Sequence, residues 1–451
     1  MCIRDSAGLE RVYSVEESND ISKDSWKAVP GYQNVVGNGQ KISLSKAIND
    51  VKKYYRLKVN IREKSWMASK SQCRIIIGCL LPWSSSEAIE LGQEYEYGYQ
   101  LYDEGGERIK VEANYFRGKI DLTDESTFRF QLLNDSISGS SPTGVLPGGD
   151  QPFISDLEDV RTGILAALQY DMEDQRVELE LSKSEESDYF SSGISLNYEK
   201  DYNLGNTTLA LGFNHLDDIV KVPLLDDEKK DSYDFFIGVT QLLSKNTVVS
   251  ADLTLGYSEG YLNDPYKVVQ RNEDFVIAPG ISIPVVNIYR ENRPNSRFRQ
   301  VFHQETKHYF ESLNGTLKAA FRLSNDDYGI FSQTAEIEWR QEVNDNLLLS
   351  PFYRFYNQNS ADFFVNTLNN LDIDTPADEP NGSGPNYSAD YRLSSLQATS
   401  IGLKINYKVN ENFSLSGAYE HYAMEGVGSD SAPSQAYPTA NTFSLTAQIK
   451  F

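Results

Sequence analysis

Period-two alternation of apolar and polar residues constrains this 451-residue chain more than any other feature. The last stretch shows it most clearly. Phe443, Leu445, Ala447, Ile449 and Phe451 fall on one face, while Thr442, Ser444, Thr446, Gln448 and Lys450 fall on the other. Ile401 to Val409, Val249 to Tyr257, Leu317 to Leu323 and Val177 to Leu181 repeat the pattern. Side chains that alternate in this way belong to strands with one apolar and one polar face. Sixteen such segments are predicted, near 93–102, 107–121, 126–138, 160–171, 175–184, 189–200, 206–215, 233–243, 247–258, 298–311, 315–324, 329–342, 347–357, 395–409, 412–424 and 441–451.

The connections sort by parity. One set consists of short turns rich in Asn, Asp and Gly, such as Glu311-Ser312-Leu313-Asn314-Gly315 and Val343-Asn344-Asp345-Asn346. All the long loops belong to the other set: about 139–159, 216–232, 259–297, 358–394 and 425–440. A soluble sandwich has no reason to gather its long loops at one end. A transmembrane antiparallel up-and-down β-barrel of about sixteen strands does so, with an even strand count and long loops on the extracellular side. That all-β barrel, spanning 89–451, is the expected fold, and the bacterial outer membrane the expected location. No run of about eighteen apolar residues is present, so a transmembrane helix is not expected. A mean hydropathy of -0.48 fits a barrel as well as a soluble protein, because only alternate residues face lipid. Outward tyrosines such as Tyr95, Tyr97, Tyr99, Tyr198, Tyr257, Tyr353, Tyr407 and Tyr419 suit the membrane interface.

The net charge of -23 is unevenly spread. Residues 1–88 hold 14 basic and 9 acidic residues, leaving 28 and 56 for the remainder. Such a balance argues against nucleic acid as a partner. Cys2, Cys73 and Cys79 are the only cysteines, so nothing beyond residue 79 can form a disulfide.

Residues 67–88 read as a signal peptide. Lys70 and Arg74 are its basic end, Ile75 to Trp83 its short apolar core, and Ser86-Glu87-Ala88 its cleavage site. Residues 1–66 are polar, with a helix suggested around Ser43 to Leu57. Met1-Cys2-Ile3-Arg4-Asp5-Ser6 resembles a run that recurs at the starts of assembled environmental sequences. The expectation is a poorly ordered upstream extension joined through a wrong start; a genuine N-terminal domain is the rival.

Four stretches carry a family resemblance: Asp135 to Gly144, Gly260 to Lys267, Tyr289 to Arg297, and Ser388 to Leu393. Together they resemble the signature stretches of a family of uncharacterised bacterial outer-membrane β-barrel proteins catalogued as a domain of unknown function. The resemblance covers roughly 89–451. It implies fold and location but no established activity. The family's genes are described beside a flavin transferase and a thioredoxin-like protein, which implies a link to envelope redox traffic.

Several residues are candidates for function. Glu178, Glu180, Asp252, Lys318, Arg322, Glu336, Glu338, Arg354 and Lys404 are expected to line the lumen, together with Glu94, Glu96, Arg340 and Lys408. Charge rings of this kind select permeants, or simply pair across neighbouring strands in a wet lumen. The 259–297 loop holds Phe275, Val276, Ile277, Ile281, Ile283, Val285, Val286 and Ile288, and inward folding to narrow the barrel is expected over an external lid or a partner contact. Arg290, Arg293, Arg297 and Arg299 form a basic run suited to an anionic ligand or lipopolysaccharide phosphate. The alternative is pairing with acidic loops such as Asp226-Asp227-Glu228 or Asp378-Glu379.

No enzyme, cofactor or metal site is expected. His303 and His308 lie five apart, so on one strand they face opposite ways and cannot share a metal. His215 and His421 keep a small place for lipase chemistry on the lipid side, and Asp217-Asp218 lacks ordered calcium-ligand spacing. Expected partners are outer-membrane lipid and lipopolysaccharide, the barrel-assembly machinery through the terminal strand ending in Phe451, and an envelope protein. A pore for small solutes is the first functional reading. A non-conducting receptor, or a scaffold for an envelope redox or export system, is the second.

Overall fold

The computed structural model describes residues 92–105, 108–139, 141–144, 157–222, 226–369, 371–373 and 380–451, with short segments between 2 and 61. The chain divides into two compact units, Met1–Glu87 and Ala88–Phe451.

In the first unit, Cys2–Arg4 pairs with Lys41–Ser43, and Arg11–Ser18 pairs with Tyr54–Ile61, Lys27–Ala28 and Val35–Val36, all antiparallel. The helix suggested around Ser43 to Leu57 is therefore not formed at either end; its middle lies outside the described residues. Tyr54, Tyr55 and Val59 favour a strand, and the partner strand supplies the backbone hydrogen bonds. Residues 67–88, the expected signal peptide, also lie outside the described residues.

The second unit is a closed barrel of sixteen antiparallel strands. In chain order these are β1 (Gln93–Asp103), β2 (Lys110–Asp121), β3 (Ser126–Gly139), β4 (Leu157–Asp171), β5 (Gln175–Glu185), β6 (Tyr189–Tyr202), β7 (Thr207–Lys221) and β8 (Asp227–Ser244). They continue with β9 (Thr247–Gly260), β10 (Ser296–Phe310), β11 (Gly315–Asp326), β12 (Phe331–Asn344), β13 (Leu347–Gln358), β14 (Leu396–Lys408), β15 (Phe413–Gly426) and β16 (Thr439–Lys450). Each strand pairs with its neighbours in sequence, and β16 closes on β1 through register pairs from Asn441↔Asp103 to Lys450↔Glu94. Every predicted strand is present. At 11 to 18 residues they meet or exceed the 9–11 or so that a tilted strand needs to cross a bilayer.

The alternation decides which face is which. Leu181, Ile401, Tyr97, Tyr257, Tyr353 and Tyr407 stand exposed on the outside of the closed sheet, whereas Glu178, Glu338, Ser350 and Ser400 are buried on the inside. An outward apolar band around a polar interior is stable in lipid and not in water, so the barrel spans a membrane. At the short-turn end an aromatic cluster follows the rim. Tyr95 stacks on Phe116 at 6.0 Å and meets Phe451 edge-on at 6.4 Å. Backbone bonds between Gln93 and Phe451 hold both ends of the barrel segment there. Asn344 and Asn410 close two of the short turns by accepting hydrogen bonds from amides two and three residues on. On β1, Gly98 leaves room for the Tyr115 ring of β2; a Cβ there would lie 1.9 Å from it.

Two loop expectations need correction. Most of 216–232 is strand, because β7 runs to Lys221 and β8 starts at Asp227. The 259–297 loop does not fold into the barrel as expected. Val268–Ala278 and Ile281–Arg290 form a hairpin, and among the described residues neither strand has a substantial strand partner other than the other. Its base is buried at Val269, but Phe275, Val276, Ile277, Ile281 and Ile283 at its tip stand exposed.

Candidate functional site

The long-loop end folds into a cap, built from residues distant in sequence. Val269, Leu368, Tyr387 and Ala389 form one small apolar core, and Tyr328, Ile330, Ala361 and Leu393 a second. Backbone bonds stitch the loops together: Leu368 N to Gln270 O, Val365 N to Ser388 O, Val268 N to Thr143 O, and Asn292 with Tyr387 in both directions, each at 2.9 Å.

Buried charges lock this cap; three of the signature stretches supply them and the fourth supplies acceptors for Lys267. Arg293 lies 2.7 Å from Glu291 and 2.8 Å from Asp390. Ser388 Oγ donates to Glu291, and the Asp264 amide donates to the same carboxylate. Arg392 Nε donates to both Asp390 oxygens at 2.9 Å, and its Nη2 reaches Asp264. Lys267 donates to Ser141 Oγ at 3.0 Å and to the Pro142 carbonyl. Glu291, Asp390, Asn292 and Ser388 are almost wholly buried. Such charges persist in a low-dielectric site only when paired and hydrogen-bonded. Burial pushes the Asp390 carboxyl up, yet Arg392, Arg293 and Lys267 outweigh it and hold it well below the usual carboxylate range. Burial raises Glu291 despite Arg293, and burial lowers Lys267.

The cap also grips the rim: Arg108 donates to the carbonyls of Gln435 and Ala436, and Tyr266 donates to Asp188. Gln358, at the top of β13, donates to the carbonyls of Arg392 and Ser394 and so fixes the Tyr391–Leu393 turn to the barrel wall.

Below that turn lies a chamber of about 590 Å³ lined by His303, Arg322, Thr334, Glu336, Arg354, Tyr356, Gln358, Arg392, Leu396, Ala398, Ser400, Glu420, Tyr422 and Met424, among others. Arg392 joins cap to chamber, since half of its side-chain surface stays open. On the wall beneath, charges pair across strands. Lys318 lies 3.1 Å from Glu336 and 3.4 Å from Glu305, and Arg354 2.9 Å from Glu336. Lys404 lies 2.7 Å from Glu338, and Arg340 3.7 Å. Across the barrel, Arg129 pairs with Glu178 and Arg117 with Glu96.

All thirteen residues expected to line the lumen, including Glu180, Asp252 and Arg322, stand at inward-facing positions of their strands. The four arginines differ in what they engage. Arg293 enters the buried network, Arg297 pairs with Asp326, Arg299 faces inward on β10 opposite Gly256 and Asp326, and Arg290 ends the hairpin. The carboxylates that engage Arg293 and Arg297 are Glu291, Asp390 and Asp326, not Asp226-Asp227-Glu228; Asp378-Glu379 lies outside the described residues. His303 faces in and contacts Asp252 at 3.0 Å, whereas His308 contacts Thr247 and Phe310 on the outer face. His215 stacks on Tyr233, and His421 meets Asn441. Asp218 is buried against Lys230 and Tyr189. Asp159, Glu186 and Asp188 bring carboxylate oxygens within 4.8 Å of one another, but Ser187 and Tyr266 already donate to Asp159 and Asp188. Sequence reasoning missed the cap network as a unit, although each of its charged residues stands in a signature stretch.

A closed sixteen-stranded barrel with a lipid-facing apolar band and a polar, capped lumen is a membrane-spanning barrel protein. The chain belongs to the family described as "Protein of unknown function (DUF3570)", whose profile matches residues 80–151, 145–225 and 221–445. No functionally curated protein matches it. Similar solved structures include a bacterial polysaccharide outer membrane secretin, 9% identical over 81% of this chain and 100% of that one, with a TM-score of 0.45. OccAB1 of Acinetobacter baumannii is 10% identical over 80% and 96%, with a TM-score of 0.39. The CymD monoaromatic hydrocarbon channel is 8% identical over 80% and 88%, with a TM-score of 0.38.

Proposed function

We propose that this protein is a channel of the bacterial outer membrane that passes small solutes, with the loop cap restricting entry at the long-loop end. The observation that carries the reading is the chamber: an inward-facing space of about 590 Å³ under a cap that is locked to the wall by Gln358 and Arg392. Sixteen strands enclose a lumen wide enough for water. A wall of paired charges suits solvated permeants, because each ion keeps a partner while the lumen stays polar.

The exposed apolar hairpin tip favours a second reading, a surface receptor or scaffold that docks a partner through Phe275 to Ile283. Osmotic swelling of liposomes holding the refolded chain separates the two. A channel admits small neutral solutes at rates that fall with solute size; a scaffold leaves swelling at the level of empty liposomes for every solute.

A further inference from the structure

We infer that the chamber holds a binding site for a small organic carboxylate with an apolar body, and that Arg322 receives the carboxylate. The inference names the solute class of the proposed channel and rests on that reading.

In a chain with 65 acidic and 42 basic residues, lumenal cations find carboxylates readily. On this wall Lys307 has Glu305, Lys318 has Glu305 and Glu336, Arg354 has Glu336, Arg340 and Lys404 have Glu338, His303 has Asp252, and the cap's Arg392 has Asp264 and Asp390. Arg322 and, on the neighbouring strand, Arg299 have no ion pair or hydrogen bond among the described residues, and of the two it is Arg322 that lines the chamber. Its guanidinium is therefore a fork of donors facing an aqueous pocket with no internal acceptor. Carboxylates match that fork in two parallel hydrogen bonds.

Register supplies the rest of the site. One row of inward residues crosses six strands: His303, Arg322, Thr334, Tyr356, Ala398 and Met424, each directly opposite the next. The row runs from the His303 imidazole and the Arg322 guanidinium through the hydroxyls of Thr334 and Tyr356 to the apolar Ala398 and Met424. Every member lines the chamber, and Leu396 adds to its apolar end. The row nearer the short-turn end, Ala320, Glu336, Arg354, Ser400 and Tyr422, is held neutral or positive around Glu336, which Lys318 and Arg354 share. Glu420, the other acid of the chamber, lies opposite Gly402 and Thr442, several strands from Arg322. A ligand with its carboxylate at Arg322 and its body along Tyr356, Ala398 and Met424 satisfies both ends. A dianion would find no second unpaired cation in the row, and a neutral solute would leave Arg322 unused.

The test is calorimetric titration of the refolded full chain in detergent with benzoate, benzamide and acetate as probes. Benzoate should bind, with benzamide and acetate each weaker by about tenfold or more. Arg322→Gln should weaken benzoate by a similar factor and leave benzamide unchanged, while Arg322→Lys retains part of the affinity. Heat-modifiable gel migration confirms that each variant is folded, and the probe series on the unmodified chain stands without any variant. No benzoate binding, equal binding of benzoate and benzamide, or an unchanged Arg322→Gln would overturn the inference. Conductance without benzoate binding removes the carboxylate site alone; Arg322-dependent binding in a silent barrel removes the channel alone.

Discussion

Asp390→Asn tests how the cap is held. Asp390 is almost wholly buried and is shared by Arg293 at 2.8 Å and Arg392 at 2.9 Å. Asparagine keeps the shape and removes the charge, leaving two guanidinium groups with one fewer counter-ion. Removing one partner of a buried pair typically costs about 3–5 kcal/mol. The lower end applies here, because Arg293 keeps Glu291, and Arg392 keeps Asp264 and an open face. A loss of about 3 kcal/mol raises the population of the opened cap roughly a hundredfold. The amides of Val365, Leu368, Tyr387 and Asn292 bond only within the cap, so they report its opening. Their hydrogen exchange should accelerate by about that factor, while amides of β10 to β14 keep their protection. Cap amides that exchange alike in both proteins would refute the claim that this ion network holds the cap.

Four further outcomes follow from the same structure. The folded Asp390 carboxyl lies below its ordinary value of 3.8, so its stabilisation is present above about pH 4 and is lost as pH falls below it; acid should open the cap of the native protein, as hydrogen exchange at low pH can follow. Glu291 shifts the opposite way and gains as pH falls, so Asp390→Asn should remove most of the acid-induced opening. Gly98→Val places a side chain against the Tyr115 ring and should cost about 1–3 kcal/mol, read as a lower temperature for loss of heat-modifiable migration. Replacing residues 274–282 by a two-residue turn should leave that temperature and the cap amides unchanged, since the hairpin tip touches little beyond itself.

The strands were legible because lipid imposes the pattern. Wherever a strand crosses the apolar band, its outward residues must be apolar, and Leu253, Ile401 and Leu445 announce it. The top of β7 and the start of β8 escaped because Asp217-Asp218 and Asp227 to Asp231 carry charge on both faces, which erases the alternation without breaking the ladder from Asp217↔Asp231 to Lys221↔Asp227. The hairpin was misread for a related reason. Apolar content says that a segment avoids water, not what it packs against, and Phe275, Val276, Ile277, Ile281 and Ile283 stay exposed among the described residues. The inner wall was legible from Lys318, Glu336 and Arg354, whose opposite signs on adjacent strands match their ion pairs; Lys404 reaches past β13 to Glu338 on β12, a span that neighbour-strand pairing does not foresee. The cap was not. Lys267 meets Ser141 and Arg392 meets Asp264 across more than a hundred residues, and no local period encodes a contact of that span.

The channel reading stands or falls on single-channel current through the refolded chain in a planar bilayer, recorded beside Asp390→Asn. The account predicts ohmic, salt-dependent steps from the native protein and larger or longer openings from the variant, as the cap over the chamber loosens. Folded, heat-modifiable protein that carries no current in either form would contradict it.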